Sequence, residues 1–178
     1  MRDMPPDTLI DLPEIEYLDG RPYPKVSPKL THSLVQGALC RILHRCAGKR
    51  GRVGPELDVF PGSQETGQTK FVPDVAYVSM ERLRSLSAAE REQPPFSPEI
   101  AVEVWSLTND RQYLDLKIAR YLATGAILVL DVNPYARTIV AHDASGVRTY
   151  ESGEQFEHPA MPWLSFDVAE AFADLDDD

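Results

Sequence analysis

Cysteine is nearly missing from this chain: Cys40 and Cys46 are the only two among 178 residues. Six positions apart on an expected helix, they point in different directions, which argues against a local disulfide or a metal clip and leaves two half-buried thiols. No stretch approaches the roughly 18 consecutive apolar residues of a membrane span. The opening MRDMPPDTLIDLPE lacks the basic and apolar regions of a secretion signal, so the expected location is cytoplasmic, away from a membrane. There is no Gly-rich phosphate loop ending in Lys-Ser or Lys-Thr, no G-x-G-x-x-G, no G-x-S-x-G and no H-E-x-x-H. The four histidines, His32, His44, His142 and His158, are scattered, and the first two fall about 120° apart on a helix of 3.6 residues per turn. Surface or capping roles are expected for them rather than a zinc site.

Basic charge is scarce as well. Lys and Arg number 18 against 28 Asp and Glu, a net charge of −10, the opposite of the balance a general nucleic-acid binder shows. Part of the acidic excess lies in the terminal DLDDD and part in the segment through Asp19. Arg41, Arg45, Lys49, Arg50 and Arg52 nevertheless cluster, so a local basic surface is compatible with the global sign.

What is present is an ordinary globular composition, 43% hydrophobic and 26% charged, at a length that suits one domain with its own core. Six prolines within the first 28 residues make the lead-in extended or turn-rich rather than helical. The expected organisation is a proline-rich N-terminal arm over 1–26 packed on the domain, a single domain over 27–174 and an acidic tail over 175–178. Ser27-Pro28 reads as a cap and first-turn residue for an amphipathic helix through Gly48, with Leu34, Val35, Ala38, Leu39, Ile42 and Leu43 on one face. Arg52 to Phe60 and Thr69 to Ser79 read as antiparallel strands around the loop PGSQETGQ. Residues 81–93 read as a short polar helix, and Glu99 to Trp105 as a central strand. Asn109 or Asp110 then caps a helix to Thr124, stopped at Gly125, and AILVLDV over 126–132 reads as a buried parallel strand, completing a right-handed crossover. Short strands follow to Phe166, then a last helix around Asp167 to Ala173.

Carboxylates set in apolar strands carry the chemical signal, because a buried charge costs free energy unless something pairs with it. Asp74 in FVPDVAYVS and Glu103 in PEIAVEVWS are such residues. Either alone reads as a paired structural carboxylate; together they suggest a site. Lys117 follows on the next helix, with Tyr113 and Tyr121 four residues to either side. Such a lysine either extends to solvent or, because its helix packs back on its own strand, aims at the carboxylates. An oxygen-rich pair suits Mg²⁺, and the chemistry that follows is phosphodiester hydrolysis, with a lysine steering or deprotonating the water.

Pro73-Asp74, Glu103-Val104-Trp105-Ser106 and the Lys117, Tyr121, Gly125 spacing resemble the PD-(D/E)XK nuclease superfamily, and within it the Uma-two group of restriction-endonuclease-like proteins. The resemblance runs from about Ile15 to Phe172 and includes Tyr17-Leu18-Asp19-Gly20 and a His32 opening the first helix. The superfamily's usual lysine position, two after the glutamate, is Trp105 here, so the resemblance assigns that role to Lys117. Gly20-Arg21 and Ile127 to Leu130 depart from the group's Gly-Glu and Glu-Tyr-Trp. It implies an α/β fold with a restriction-endonuclease-like core, a mixed sheet flanked by helices in αβββαβ order, with a β-rich C-terminal extension. It further implies a Mg²⁺-dependent DNA endonuclease, with Mn²⁺ as a substitute. In that reading Asp74 and Glu103 bind metal, the Val104 carbonyl is a further ligand, Lys117 assists the water, Arg45, Lys49 and Arg52 contact phosphates, and a homodimer supplies two sites. The alternative is an inactive or weak member of the fold acting as an interaction or regulatory module, which the acidic charge favours.

Overall fold

The computed structural model describes residues 14–25, 28–61, 69–107 and 110–176. Helix α1 (Leu30–Ala47) turns Val35, Leu39, Ile42 and Leu43 inward at helical spacing, and this stripe covers one face of a six-stranded sheet. The sheet runs β3 (Gly51–Pro55), β4 (Val75–Ser79), β5 (Ile100–Val104), β6 (Leu128–Asn133), β7 (Thr138–Asp143) and β8 (Gly146–Glu151), in that order. Every pairing is antiparallel except β5 with β6, which is parallel and joined through α4 (Arg111–Ala123). The αβββαβ order and the expected crossover connection are therefore present.

Side-chain alternation along β5 divides the core. Ile100, Val102 and Val104 face α1, while Ala101 and Glu103 face α4. The α1 side is completed by the C-terminal extension, where β9 (Gln155–Glu157) pairs with β10 (Ser165–Asp167) and Phe156, Leu164, Phe166 and Phe172 are buried. The α4 side holds Leu114, Ile118 and Tyr121 against Phe71 and Val59. It is capped by a hairpin of β1 (Ile15–Leu18) and β2 (Arg21–Pro24), tied to the chain before β4 by reciprocal backbone hydrogen bonds of 2.9 Å between Tyr17 and Lys70. The described part of the lead-in, residues 14–25, is extended and packs into the second core.

Several elements differ from expectation. The single helix expected over 81–93 is two, α2 (Met80–Ser85) and α3 (Ala88–Glu92), because Ser79 and Ser87 each accept a backbone N–H and start separate helices, Ser87 in a full capping box with Glu90. The strands around the expected hairpin loop are short: Glu56 takes a left-handed φ of 52°, and Pro73 offers no ladder N–H. The loop lies outside the described residues beyond Pro61, as does the expected cap Ser27; α1 begins at Leu30 without a side-chain cap. Asp110 caps α4, accepting from the Gln112 N–H at 2.9 Å, and Gly125 takes the positive φ of 114° expected of the stop; Asn109 lies outside the described residues. The last helix is two short 3-10 turns, Val168–Ala171 and Ala173–Leu175. Cys40 and Cys46 are free and half-buried, and among the described residues no helix is long and apolar enough to cross a membrane.

Gly51 shows how tightly β3 is laid on β4. A Cβ there would overlap the Tyr77 ring and the Val78 carbonyl oxygen, the latter a backbone atom that cannot turn aside. Gly51→Ala is expected to destabilise the protein by about 1–3 kcal/mol through overpacking. Urea denaturation checks this: an unchanged midpoint would mean that the β3–β4 pair can spread at no cost.

Candidate active site

Asp74 sits where the chain leaves Pro73 and enters β4, beside the end of β5. Its Oδ2 accepts the Val104 N–H at 2.7 Å, which fixes the carboxylate across the two strands. Oδ1 faces Lys25 Nζ at 3.3 Å and His32 Nε2 at 3.4 Å. Lys25, just after β2, also donates to the Val72 carbonyl at 2.8 Å and to Glu56.

Glu103 projects from β5 towards α4. Lys117 Nζ lies 2.9 Å from both of its carboxylate oxygens, and the Tyr121 hydroxyl donates to Oε1 at 2.8 Å. The same ammonium lies 2.6 Å from Glu16 Oε1, on β1. Glu16 also accepts the Val72 N–H at 2.7 Å and the Tyr113 hydroxyl at 3.0 Å, so this one carboxylate joins the hairpin, the segment leading to Asp74 and α4. Glu16, Asp74, Glu103 and Lys117 are each at least nine-tenths buried, yet all line one cavity of about 330 Å³ with Lys25 and His32.

The charges do not balance. Burial pushes the Glu103 carboxyl up to about 7; Lys117 pulls against this, while Asp74 and Glu16 add repulsion. For Asp74 burial acts in the same direction, but the His32 hydrogen bond and the Lys25 charge outweigh it and hold the carboxyl below its ordinary value. Burial opposes charge on Lys117 too, yet Glu103 and Glu16 raise its pKa; Lys25 is raised by Asp74 and Glu103, and His32 by Asp74. Burial and Glu103 raise Tyr121, which keeps its proton and donates it. Among the described residues no three His, Cys, Asp or Glu side chains group into a closed metal cage. The donor set nevertheless suits a hard divalent cation, which is commonly held by one or two carboxylates with water completing its shell. Asp74 and Glu103 border the same cavity, and added positive charge would oppose the burial and acidic repulsion that raise the Glu103 carboxyl.

The cavity thus brings together Asp74, Glu103, Val104 and Lys117. Arg45, Lys49 and Arg52 lie elsewhere. Arg45 is roughly 20 Å along α1 from His32 at 1.5 Å per residue and is ion-paired with Glu170 at 2.7 Å. Lys49 is exposed in the turn after α1, and Arg52 donates to the Gly51 carbonyl at 3.0 Å. His32 is not a surface or capping residue but is buried against Asp74; His158 is buried as well, 2.9 Å from Asp143. Glu16 and Lys25 were not anticipated. Glu16 had a readable signal, since it alternates onto the same buried side as Leu18, and His32 shares the inner face of α1 with Val35 and Leu39. Lys25 had none, because its position follows from the hairpin fold.

The Uma2 family model, described as "Putative restriction endonuclease", matches residues 6–169. No curated protein matches the chain. The crystal structure of a "putative nuclease belonging to DUF820" from Anabaena variabilis superposes with a TM-score of 0.79 at 17% identity, covering 90% of each chain, and shows the shared fold.

The position of the Glu103 carboxyl gives a signed pH dependence. With a pKa of about 7 in the fold against an ordinary 4.5, native Glu103 holds more protons than the unfolded chain between these values. Stability of the metal-free wild type relative to Glu103→Gln should therefore fall as pH rises from about 4.5 to about 7 and level off above. Denaturant titrations across that window check it; a difference that grows with pH would mean that Lys117, rather than burial, governs Glu103.

Proposed function

The chain belongs to the Uma2 restriction-endonuclease family, and on that premise we propose that it is a Mg²⁺-dependent endonuclease that hydrolyses phosphodiester bonds of DNA, with Mn²⁺ able to substitute. Family membership supports a nuclease function in general terms. The observation that carries the specific reading is that Asp74, at the entry to β4, and Glu103, on the neighbouring β5, border one cavity with Lys117 in contact with Glu103.

In this reading the Asp74 and Glu103 carboxylates hold the cation, with the Val104 carbonyl as a further ligand. Mg²⁺ held there would supply Lewis-acid chemistry towards the phosphate and the attacking water. Lys117 orients that water through its ammonium and offsets charge developing on the phosphate oxygens. Glu16 and Tyr121 hold Lys117 and Glu103 in register, and Lys25 and His32 keep Asp74 ionised while adding positive charge at the cavity wall. The long phosphate contacts assigned to Arg45, Lys49 and Arg52 find no support in their distance from this cavity.

Purified protein incubated with supercoiled plasmid and with single-stranded DNA, in Mg²⁺, Mn²⁺ or chelator, tests the reading. Glu103→Gln and Lys117→Met, checked for folding by circular dichroism, should each lower the cleavage rate about a hundred-fold or more. Cleavage that survives in chelator, or unchanged in both variants, refutes the site. Metal binding without any turnover supports the interaction-module alternative.

A further inference from the structure

The nuclease reading leaves open which form of nucleic acid reaches the carboxylates, and three independent features bear on it. The first is depth. Asp74 is 3% exposed and Glu103 7%, at the base of a cavity of about 330 Å³. That volume is at the lower end of the roughly 300–1,000 Å³ of pockets that enclose small ligands. A paired duplex presents its phosphates on a stiff outer surface, whereas a single strand can turn one nucleotide out of line and insert it.

The second feature is aromatic. Tyr23, on β2, and Tyr113, on α4, stack with ring centroids 4.0 Å apart and planes within 14°, and both border the cavity. Tyr113 is held by its hydroxyl bond to Glu16, so the stack has a fixed orientation beside the same carboxylate that positions Lys117. An unpaired base is flat and apolar on its faces, and a preformed aromatic pair bordering the cavity suits it without any sequence readout.

The third feature is that, among the described residues, several basic side chains that could grip a duplex are already ion-paired. Duplex affinity rests largely on many simultaneous phosphate contacts from basic residues. The net charge is −10, and on α1 Arg41 and Arg45 are ion-paired with Asp174 and Glu170, while Arg137 pairs with Asp176. The ammonium groups bordering the cavity, Lys25 and Lys117, suffice for one or two phosphates rather than for a duplex face. Stacking must then supply much of the affinity.

We infer that the substrate is single-stranded nucleic acid, one nucleotide of which enters the cavity with its base against the Tyr23–Tyr113 pair, and that Tyr23 selects for this unpaired form. This rests on the nuclease reading of the cavity. Binding and cleavage are therefore measured separately. Fluorescence anisotropy of the full chain in Ca²⁺, with a labelled oligothymidylate and with the same strand annealed to its complement, should show the single strand binding about ten-fold or more tighter. Tyr23→Ala and Tyr23→Leu should each weaken single-strand binding about ten-fold, whereas Tyr23→Phe, which keeps the aromatic face, should retain it. Leucine preserves apolar packing, so its loss isolates stacking from a folding defect. Duplex binding equal to or tighter than single-strand binding overturns the inference, as does a folded Tyr23→Leu that binds the single strand like wild type. Selective, Tyr23-dependent single-strand binding without cleavage in Mg²⁺ or Mn²⁺ would sustain this inference while refuting the nuclease reading. Equal cleavage of both forms, indifferent to Tyr23, would do the reverse.

Discussion

Lys117 holds one ammonium group between two buried carboxylates, Glu16 at 2.6 Å and Glu103 at 2.9 Å, and much of the molecule is arranged so that this contact can exist. Removing ions from water costs several kcal/mol each, and the cost is recovered only if geometry is good and the remaining hydrogen-bonding positions are filled. Here they are filled by groups from four segments: Tyr121 and Tyr113 from α4, the Val72 N–H ahead of β4, and the carboxylates from β1 and β5. The crossover from β5 to β6 sets α4 over the sheet, and the hairpin is then drawn onto α4 by Glu16 and by the stacked tyrosines. The N-terminal lead-in is in this sense part of the site.

The same arrangement leaves the cavity short of positive charge. Four carboxylates, Glu16, Asp74, Glu103 and Asp110, line it against two ammonium groups and an imidazole, and Glu103 bears the consequence, its carboxyl raised to about 7 by burial and by its acidic neighbours. Asp74 and Glu103 are not equivalent. Asp74 is anchored through the Val104 N–H and kept ionised by His32 and Lys25, whereas Glu103 exchanges its proton near neutrality. The proposed divalent cation would offset this imbalance by replacing the proton, which would couple metal affinity to pH. The proposed chemistry and the buried electrostatics thus follow from one surplus of negative charge.

How much of this was legible in the chain depends on whether local pattern or tertiary placement decided the matter. α1, β5, α4 and β6 carry strong periodicity with clear stops at Gly48 and Gly125, and they were readable to within a few residues. Asp74 and Glu103 stood out because a charge inside an apolar strand needs a partner, and Lys117 because its helix follows directly. Ser79 and Ser87 were each able to start a helix, so the segment between β4 and β5 divides where a polar pattern suggested continuity. Glu16 and His32 reach the site from buried positions on short or amphipathic elements, and only the hairpin's docking brings Lys25 there. The basic residues of α1 show a different limit: sequence counts charges, but not that Arg41 and Arg45 are matched by Asp174 and Glu170 from more than a hundred residues away.

The surplus charge around Asp74 and Glu103 either is a cation site or is not, and binding decides it. Isothermal titration of the metal-free protein with Mg²⁺ and Mn²⁺, repeated near neutral pH in buffers of different ionisation enthalpy, measures both the binding and the protons released. Wild type should bind one cation with release of a fraction of a proton, the release should vanish in Glu103→Gln, and Asp74→Asn should abolish binding. Undiminished binding in both variants, or none in the folded wild type, would contradict it.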